Sequence, residues 1–168
     1  MAYPTESVFG LGCDPMNAAA VARIIGIKRR DPEAGFILLA CDISQIRPYL
    51  ATDPESIPGL PESWPGPVSW VIPASTLAPE WITGNSPNVA VRVTAHPLAA
   101  ALCKEFGSAI VSTSANRSGK AAARTTVQVR YRLGEVLDYI LPGETGKEAV
   151  PSEIRDATTG AILRPAQK

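Results

Sequence analysis

The segment Phe36-Ile37-Leu38-Leu39-Ala40-Cys41 has no polar side chain. Its length suits a strand and is too short for an independent helix. An alternating strand leaves one face wet, but a strand apolar on both faces has to be covered on both. In a chain of 168 residues that requirement points to helices packed on a sheet rather than to a sandwich or a bundle. The neighbouring sequence supplies the helices. Asn17 stands as N-cap before an alanine-rich helix over residues 18–25. Asp42 caps a short helix over 43–47 that Pro48 ends. His96 precedes a helix opened by Pro97 and closed by Gly107, the usual order of proline first and glycine last. Thr126 is expected to cap a helix over 127–133. Strands are expected at 68–72, 89–93 and 109–111, and a terminal hairpin pairs 153–156 with 161–164 across Thr159-Gly160. The expected fold is α/β: one domain with a twisted, mixed, largely parallel open sheet and flanking helices.

Composition removes several function classes. Lysine and arginine number 16, aspartate and glutamate 16, so net charge is zero. A chain held on duplex nucleic acid by charge alone is usually distinctly basic, so any basic surface here must be local. The sixteen prolines are about twice ordinary usage; they are spread along the chain and read as loop punctuation. Five of them fall between 54 and 67, a long loop. Cys13, Cys41 and Cys103 form no CxxC pair, and one histidine adds no zinc-ligand pattern, so they read as small hydrophobes in a reducing compartment. No apolar run approaches membrane-spanning length, and no signal peptide opens the chain, which makes the cytoplasm the expected location.

The chemistry concentrates in a few places. Val111-Ser112-Thr113-Ser114-Ala115-Asn116-Arg117-Ser118-Gly119 gathers four hydroxyls, an amide and a guanidinium at a strand exit, where open α/β sheets bind ligands. Such a set of small donors and acceptors suits a phosphate. Lys28, Arg29 and Arg30 follow the first helix. They favour its dipole as solvated charges, or they clamp a polyphosphate through a point charge and a planar fork. Arg92 lies within Ala90-Val91-Arg92-Val93 and, if buried, needs a carboxylate or a ligand. Trp64-Pro65-Gly66-Pro67 is a rigid turn or a stacking platform, and His96 is better placed to cap than to catalyse. Two familiar nucleotide motifs fail. Gly10-Leu11-Gly12 has Pro15 where a third glycine belongs, and Gly143 to Gly146-Lys147 has the wrong spacing for a P-loop, with Glu148 in place of the hydroxyl.

Taken in order, these segments resemble the Sua5/YrdC/TsaC family of threonylcarbamoyl-AMP synthases. The resemblance rests on Tyr3-Pro4-Thr5-Glu6-Ser7-Val8-Phe9-Gly10-Leu11-Gly12, Lys28-x-Arg30, Trp64-Pro65-Gly66-Pro67 and Val89-Ala90-Val91-Arg92-Val93. It continues through Ser112-Thr113-Ser114-Ala115-Asn116-x-Ser118-Gly119, Pro151-Ser152 and Ile162-Leu163-Arg164. It covers essentially the whole chain and is similar to the short bacterial form.

The resemblance implies a nucleotidyltransferase that joins L-threonine, bicarbonate or CO2, and ATP into threonylcarbamoyl-adenylate with release of pyrophosphate. The product feeds N6-threonylcarbamoyladenosine modification of tRNA, through transfer proteins of the TsaB, TsaD and TsaE kind. By the same resemblance Lys28 and Arg30 are the catalytic residues. Lys28, Arg30, Ser114, Asn116 and Arg164 would bind ATP; Thr5, Arg92, Ser112 and Ser152 would bind threonine. Mg²⁺ would be held mainly by the nucleotide rather than by a protein metal site. Family members ordinarily begin with a helix and a strand ahead of the Pro-Thr-Glu loop, whereas Met1-Ala2 opens almost directly onto it. The domain is therefore expected to run over 1–168 as an N-terminally short version, poorly soluble or inactive where an extended form would behave. Two other readings compete. One is a non-catalytic RNA-binding or ribosome-maturation module making weak tRNA or RNA contact through Lys28 and Arg30, which neutral charge disfavours. The other is carbamoyl transfer as in hydrogenase-maturation proteins, which normally requires a much longer chain.

Overall fold

A computed structural model describes residues 1–146 and 153–166. Its centre is the apolar run. Strand β3 (Ile37–Ala40) lies between two other strands, and Leu38 and Leu39 are both fully buried on opposite faces. Leu38 belongs to the larger core, with Phe9, Val21, Trp70 and Val91. Leu39 enters a smaller cluster with Tyr3, Ala99, Cys103 and Ile110. A strand with no polar face is thus covered twice, as its sequence demands.

The other strands are β1 (Ala2–Pro4), β2 (Phe9–Leu11), β4 (Ser69–Pro73), β5 (Asn88–Val93), β6 (Ile110–Ser114), β7 (Ile154–Asp156) and β8 (Ile162–Arg164). Among the described residues they form one eight-stranded sheet in the order β1-β2-β6-β3-β5-β4-β7-β8. The sheet is mixed, as expected, but not largely parallel. Only β3 with β5 and β4 with β7 run parallel; the other neighbours are antiparallel. A helix between two strands makes them parallel only if it returns the chain to the starting end. Here β6 follows a helix after β5, yet pairs with β3 and runs against it.

The helices follow their caps. In α1 (Ala18–Lys28) the Asn17 side chain accepts from the Ala20 N–H, and Arg29 ends the helix in the left-handed region at φ 50°. Asp42 caps α2 (Ile43–Ile46) through Ser44, and Pro48 falls in the single 3-10 turn that follows. The short α3 is Glu80–Thr83. In α4 (Pro97–Phe106) the His96 ring accepts from the Ala99 N–H, and Gly107 closes the helix at φ 78°. Helix α5 (Thr126–Leu133) is capped by Thr125, one residue before the expected Thr126, because it is the Thr125 hydroxyl that meets the Gln128 N–H. No helix among the described residues is long and apolar enough to cross a membrane.

Two details set up the site. Strand β6 extends past Val111 to Ser114, so three of the four expected loop hydroxyls are on strand backbone. The hairpin of β1 and β2 pairs Ala2 with Leu11 and Pro4 with Phe9. Its turn presents Thr5, Glu6 and Ser7 beside the end of β6, where Gly10 pairs with Ser114.

Candidate functional site

The turn of that hairpin, the end of β6, the middle of β5, the segment after α1 and strand β8 enclose a cavity of about 580 Å³. Arg30, Arg92 and Arg164 converge on it together with Thr5, Ser7, Ser112, Thr113 and Ser114. Its described lining includes no carboxylate. Apolar residues, among them Phe36, Ile37, Ile82 and Leu163, complete the wall. Cations and hydroxyls against an apolar backing suit an anion attached to a flatter, less polar body.

Each cation is placed by specific contacts. Arg30 follows the turn at Arg29; its Nη2 donates to the carbonyls of Ala34 at 3.1 Å and Gly35 at 3.0 Å. Its guanidinium lies over the Phe36 ring, 5.3 Å from the centroid, a favourable cation–π distance. Gly35, at φ 58°, allows this tight fold: a Cβ there would stand 2.8 Å from the Thr83 carbonyl and 2.9 Å from that of Ile82. Burial lowers the pKa of Arg30, opposed by Asp31. Burial also lowers that of Arg164, and neighbouring Arg92 adds to the effect. Arginine nevertheless stays charged, so Arg92 and Arg164 set two of the cavity's three cations close together.

Arg92 finds the carboxylate that its strand position demands. Its Nη2 stands 3.3 Å from Oε2 of Glu6, and each side chain is 9% exposed. The contact is an ion pair without the alignment of a hydrogen bond, since Glu6 Oε2 and Arg92 Nε make none. Glu6 Oε1 accepts from the Thr94 hydroxyl at 2.6 Å and from the Ala95 N–H at 3.2 Å. Burial alone would raise the Glu6 pKa, but Arg92 and these donors outweigh it and the carboxyl is held below its ordinary value. Reading the sequence alone missed Glu6 as a site residue. Its only signal was membership of the Pro-Thr-Glu segment.

The remaining expected residues divide. Thr5, Arg30, Arg92, Ser112, Ser114 and Arg164 line the cavity together. Lys28 and Asn116 are not on its wall but stand behind Ser114. Lys28 is 2% exposed, and its ammonium donates to the Ser114 carbonyl and to the Asn116 carbonyl and side-chain oxygen. The Ser114 hydroxyl donates to that same amide oxygen at 2.6 Å. Burial first, and Arg30 second, bring the Lys28 pKa down to about 8. Ser152 lies outside the described residues, as does Pro151.

The bland alternatives held elsewhere. Trp64 is buried, donates from Nε1 to the Val68 carbonyl and follows the turn reading; its bond to Pro65 is cis. The His96 ring caps α4 through Nδ1, which directs the Nε2 proton to the Glu144 carbonyl at 3.1 Å. Of the three cysteines, all free thiols, only Cys103 is buried as a small hydrophobe would be; Cys13 and Cys41 are partly buried, and burial raises the Cys13 pKa to about 11.

The Sua5/yciO/yrdC family model, described as telomere recombination, matches residues 1–166. A threonylcarbamoyl-AMP synthase from Nitrosococcus oceani is 56% identical over 165 residues, covering 98% of this chain and 89% of the relative. Its counterpart in Alkalilimnicola ehrlichii is 55% identical over 172 residues, covering 98% and 87%. The structure of P. abyssi Sua5 complexed with L-threonine superposes with a TM-score of 0.91 at 33% identity, covering 98% of this chain and 49% of that one. This chain therefore spans about half the length of that protein. E. coli YciO shares the fold, with a TM-score of 0.85 at 24% identity, covering 98% of this chain and 82% of that one.

Proposed function

This chain belongs to the Sua5/YciO/YrdC family, and we propose that it is a transferase, specifically a nucleotidyltransferase that makes L-threonylcarbamoyladenylate. The observation that carries the proposal is the cavity in which Arg30, Arg92 and Arg164 meet the hydroxyls of β6 with no carboxylate on the described wall. Relatives that share about half of its residues over most of their length are named threonylcarbamoyl-AMP synthases.

The reaction begins when the amino group of threonine adds to CO2 and loses a proton, giving a carbamate. A carbamate oxygen then attacks the α-phosphorus of ATP; the new P–O bond replaces the bond to the leaving pyrophosphate. Both reactants are anions, so their mutual repulsion is the main obstacle. Fixed positive charge and oriented donors act directly on it, and positioning supplies much of the remainder. Arg30, Ser114 and Arg164 face the nucleotide phosphates, while Lys28 and Asn116 hold the Ser114 end of β6 from behind. Arg92 takes the threonine carboxylate, with Thr5 and Ser112 offering hydroxyls and Ser152 a further one. A wall of cations and hydroxyls fits Mg²⁺ that arrives bound to ATP phosphates and water. The labile adenylate then passes to partner proteins that complete t6A modification of tRNA.

The test is pyrophosphate release from ATP with Mg²⁺, with and without threonine and bicarbonate. Release is expected only when both are present, and Arg30→Ala should lower it by about 10²-fold or more. Release that ignores threonine would overturn the proposal.

A further inference from the structure

The ion pair beside the cavity is built asymmetrically. Glu6 is fixed without help from Arg92: its Oε1 takes the Thr94 hydroxyl at 2.6 Å and the Ala95 N–H at 3.2 Å. Thr94 is fixed in turn, because its hydroxyl oxygen accepts the His96 N–H at 3.1 Å, at the cap of α4. Arg92 has no comparable anchor at Nε, which is buried and makes no hydrogen bond. Its Nη2 rests 3.3 Å from Glu6 Oε2. From these contacts we propose that Glu6 is the positioning residue of the carboxylate clamp, holding the Arg92 guanidinium in the orientation that receives the amino-acid substrate. The inference rests on the reading of Arg92 as the partner of the threonine carboxylate.

Two effects of Glu6 oppose each other. As an anion it offsets the charge of Arg92, which alone would weaken binding of another carboxylate. As an anchor it keeps a buried guanidinium in place. Anchoring wins because a buried cation robbed of its counter-charge does not stay still. It moves toward solvent. Glu6 also adjoins Thr5, whose N–H and hydroxyl both donate to the Val8 carbonyl. One turn of four residues, Thr5 to Val8, therefore sets both a hydroxyl and a guanidinium on the cavity wall.

The experiment measures steady-state pyrophosphate release by the full chain and its variants, with threonine and ATP varied separately. Glu6→Gln should raise KM for threonine about tenfold and leave KM for ATP within about twofold, with Glu6→Asp recovering part of the loss. Thr94→Val keeps the carboxylate but removes its hydroxyl anchor; it should raise KM for threonine in the same direction by a smaller factor. The proposal fails if Glu6→Gln leaves KM for threonine unchanged while Arg92→Lys raises it, and the carboxylate reading of Arg92 then stands. If Arg92→Lys also changes nothing, both fail together. Equal rises in both KM values with a lowered melting temperature mark a merely structural role and overturn the proposal. Should Glu6→Gln not fold, Thr94→Val decides, and an unchanged threonine KM sinks the idea.

Discussion

Buried charges in this protein are satisfied by groups distant in sequence, and the chemistry depends on how they are satisfied. Arg92 announced its need for a partner because it interrupts an apolar strand, but nothing local identified Glu6, which arrives from the first hairpin. Lys28 was legible as a cation near a hydroxyl-rich segment; its full set of acceptors on Ser114 and Asn116 was not. Lys28→Met keeps the length of the side chain and strands those acceptors, so it should destabilise the fold by about 1–3 kcal/mol, read from urea denaturation. Glu6 gives a second prediction, in pH. Its folded pKa lies below the ordinary value near 4.5, so the native state binds its proton less readily than the unfolded chain does. The stability that Glu6 contributes is therefore complete above that ordinary value and is lost as pH falls through the folded pKa. Unfolding free energy of the wild type should drop across this acid window, and Glu6→Gln should show a shallower slope there. Parallel slopes for the two proteins would contradict it.

Elements marked by a cap, an apolar run or a turn signature were readable, down to the four-residue α2 and β3 and the three-residue β7 and β8; α3, β1 and β2 were not. Helices α1 and α4 start at Asn17 and His96 as expected, because capping is a contact within one turn. Strands β1 and β2 have three residues each, too few for alternation to register, and their hairpin carries the turn that holds Thr5 and Glu6. The segment after α1 offers a test of backbone logic at two positions, Arg29 at the end of the helix and Gly35 at the end of the 3-10 turn that follows. Arg29 adopts φ 50° and Gly35 adopts φ 58° with ψ −176°. The first conformation is one that glycine adopts more easily than arginine, and the Arg29 side chain is absent from the cavity wall. Arg29→Gly should therefore leave stability unchanged or raise it by up to about 1 kcal/mol. Gly35→Ala meets both a forbidden backbone region and two carbonyl oxygens within 3 Å. It should cost at least about 1–3 kcal/mol and loosen the Arg30 contacts that Gly35 and Ala34 provide. Chemical denaturation of the two variants checks the contrast, and equal losses would refute it.

For the whole molecule, the doubly covered strand was legible because no polar face exists along residues 36–41, whereas strand direction was not, because pairing partners are chosen by tertiary packing. The same separation of local from global applies to charge. The chain is neutral overall, yet three guanidiniums share one cavity. A neutral molecule does not steer an anionic substrate from a distance; attraction is exerted inside the cavity, where low exposure limits screening by salt. The kcat/KM for ATP, measured by pyrophosphate release, should therefore change by less than about tenfold between about 50 and 200 mM salt. A surface that binds nucleic acid through six to ten phosphate contacts loses about 10³–10⁵ in affinity over that range. A steep loss of adenylate synthesis would mean that an extended basic surface, not the cavity, limits substrate capture. A shallow one would place recognition at Arg30, Arg92 and Arg164, which the segment after α1, β5 and β8 bring together.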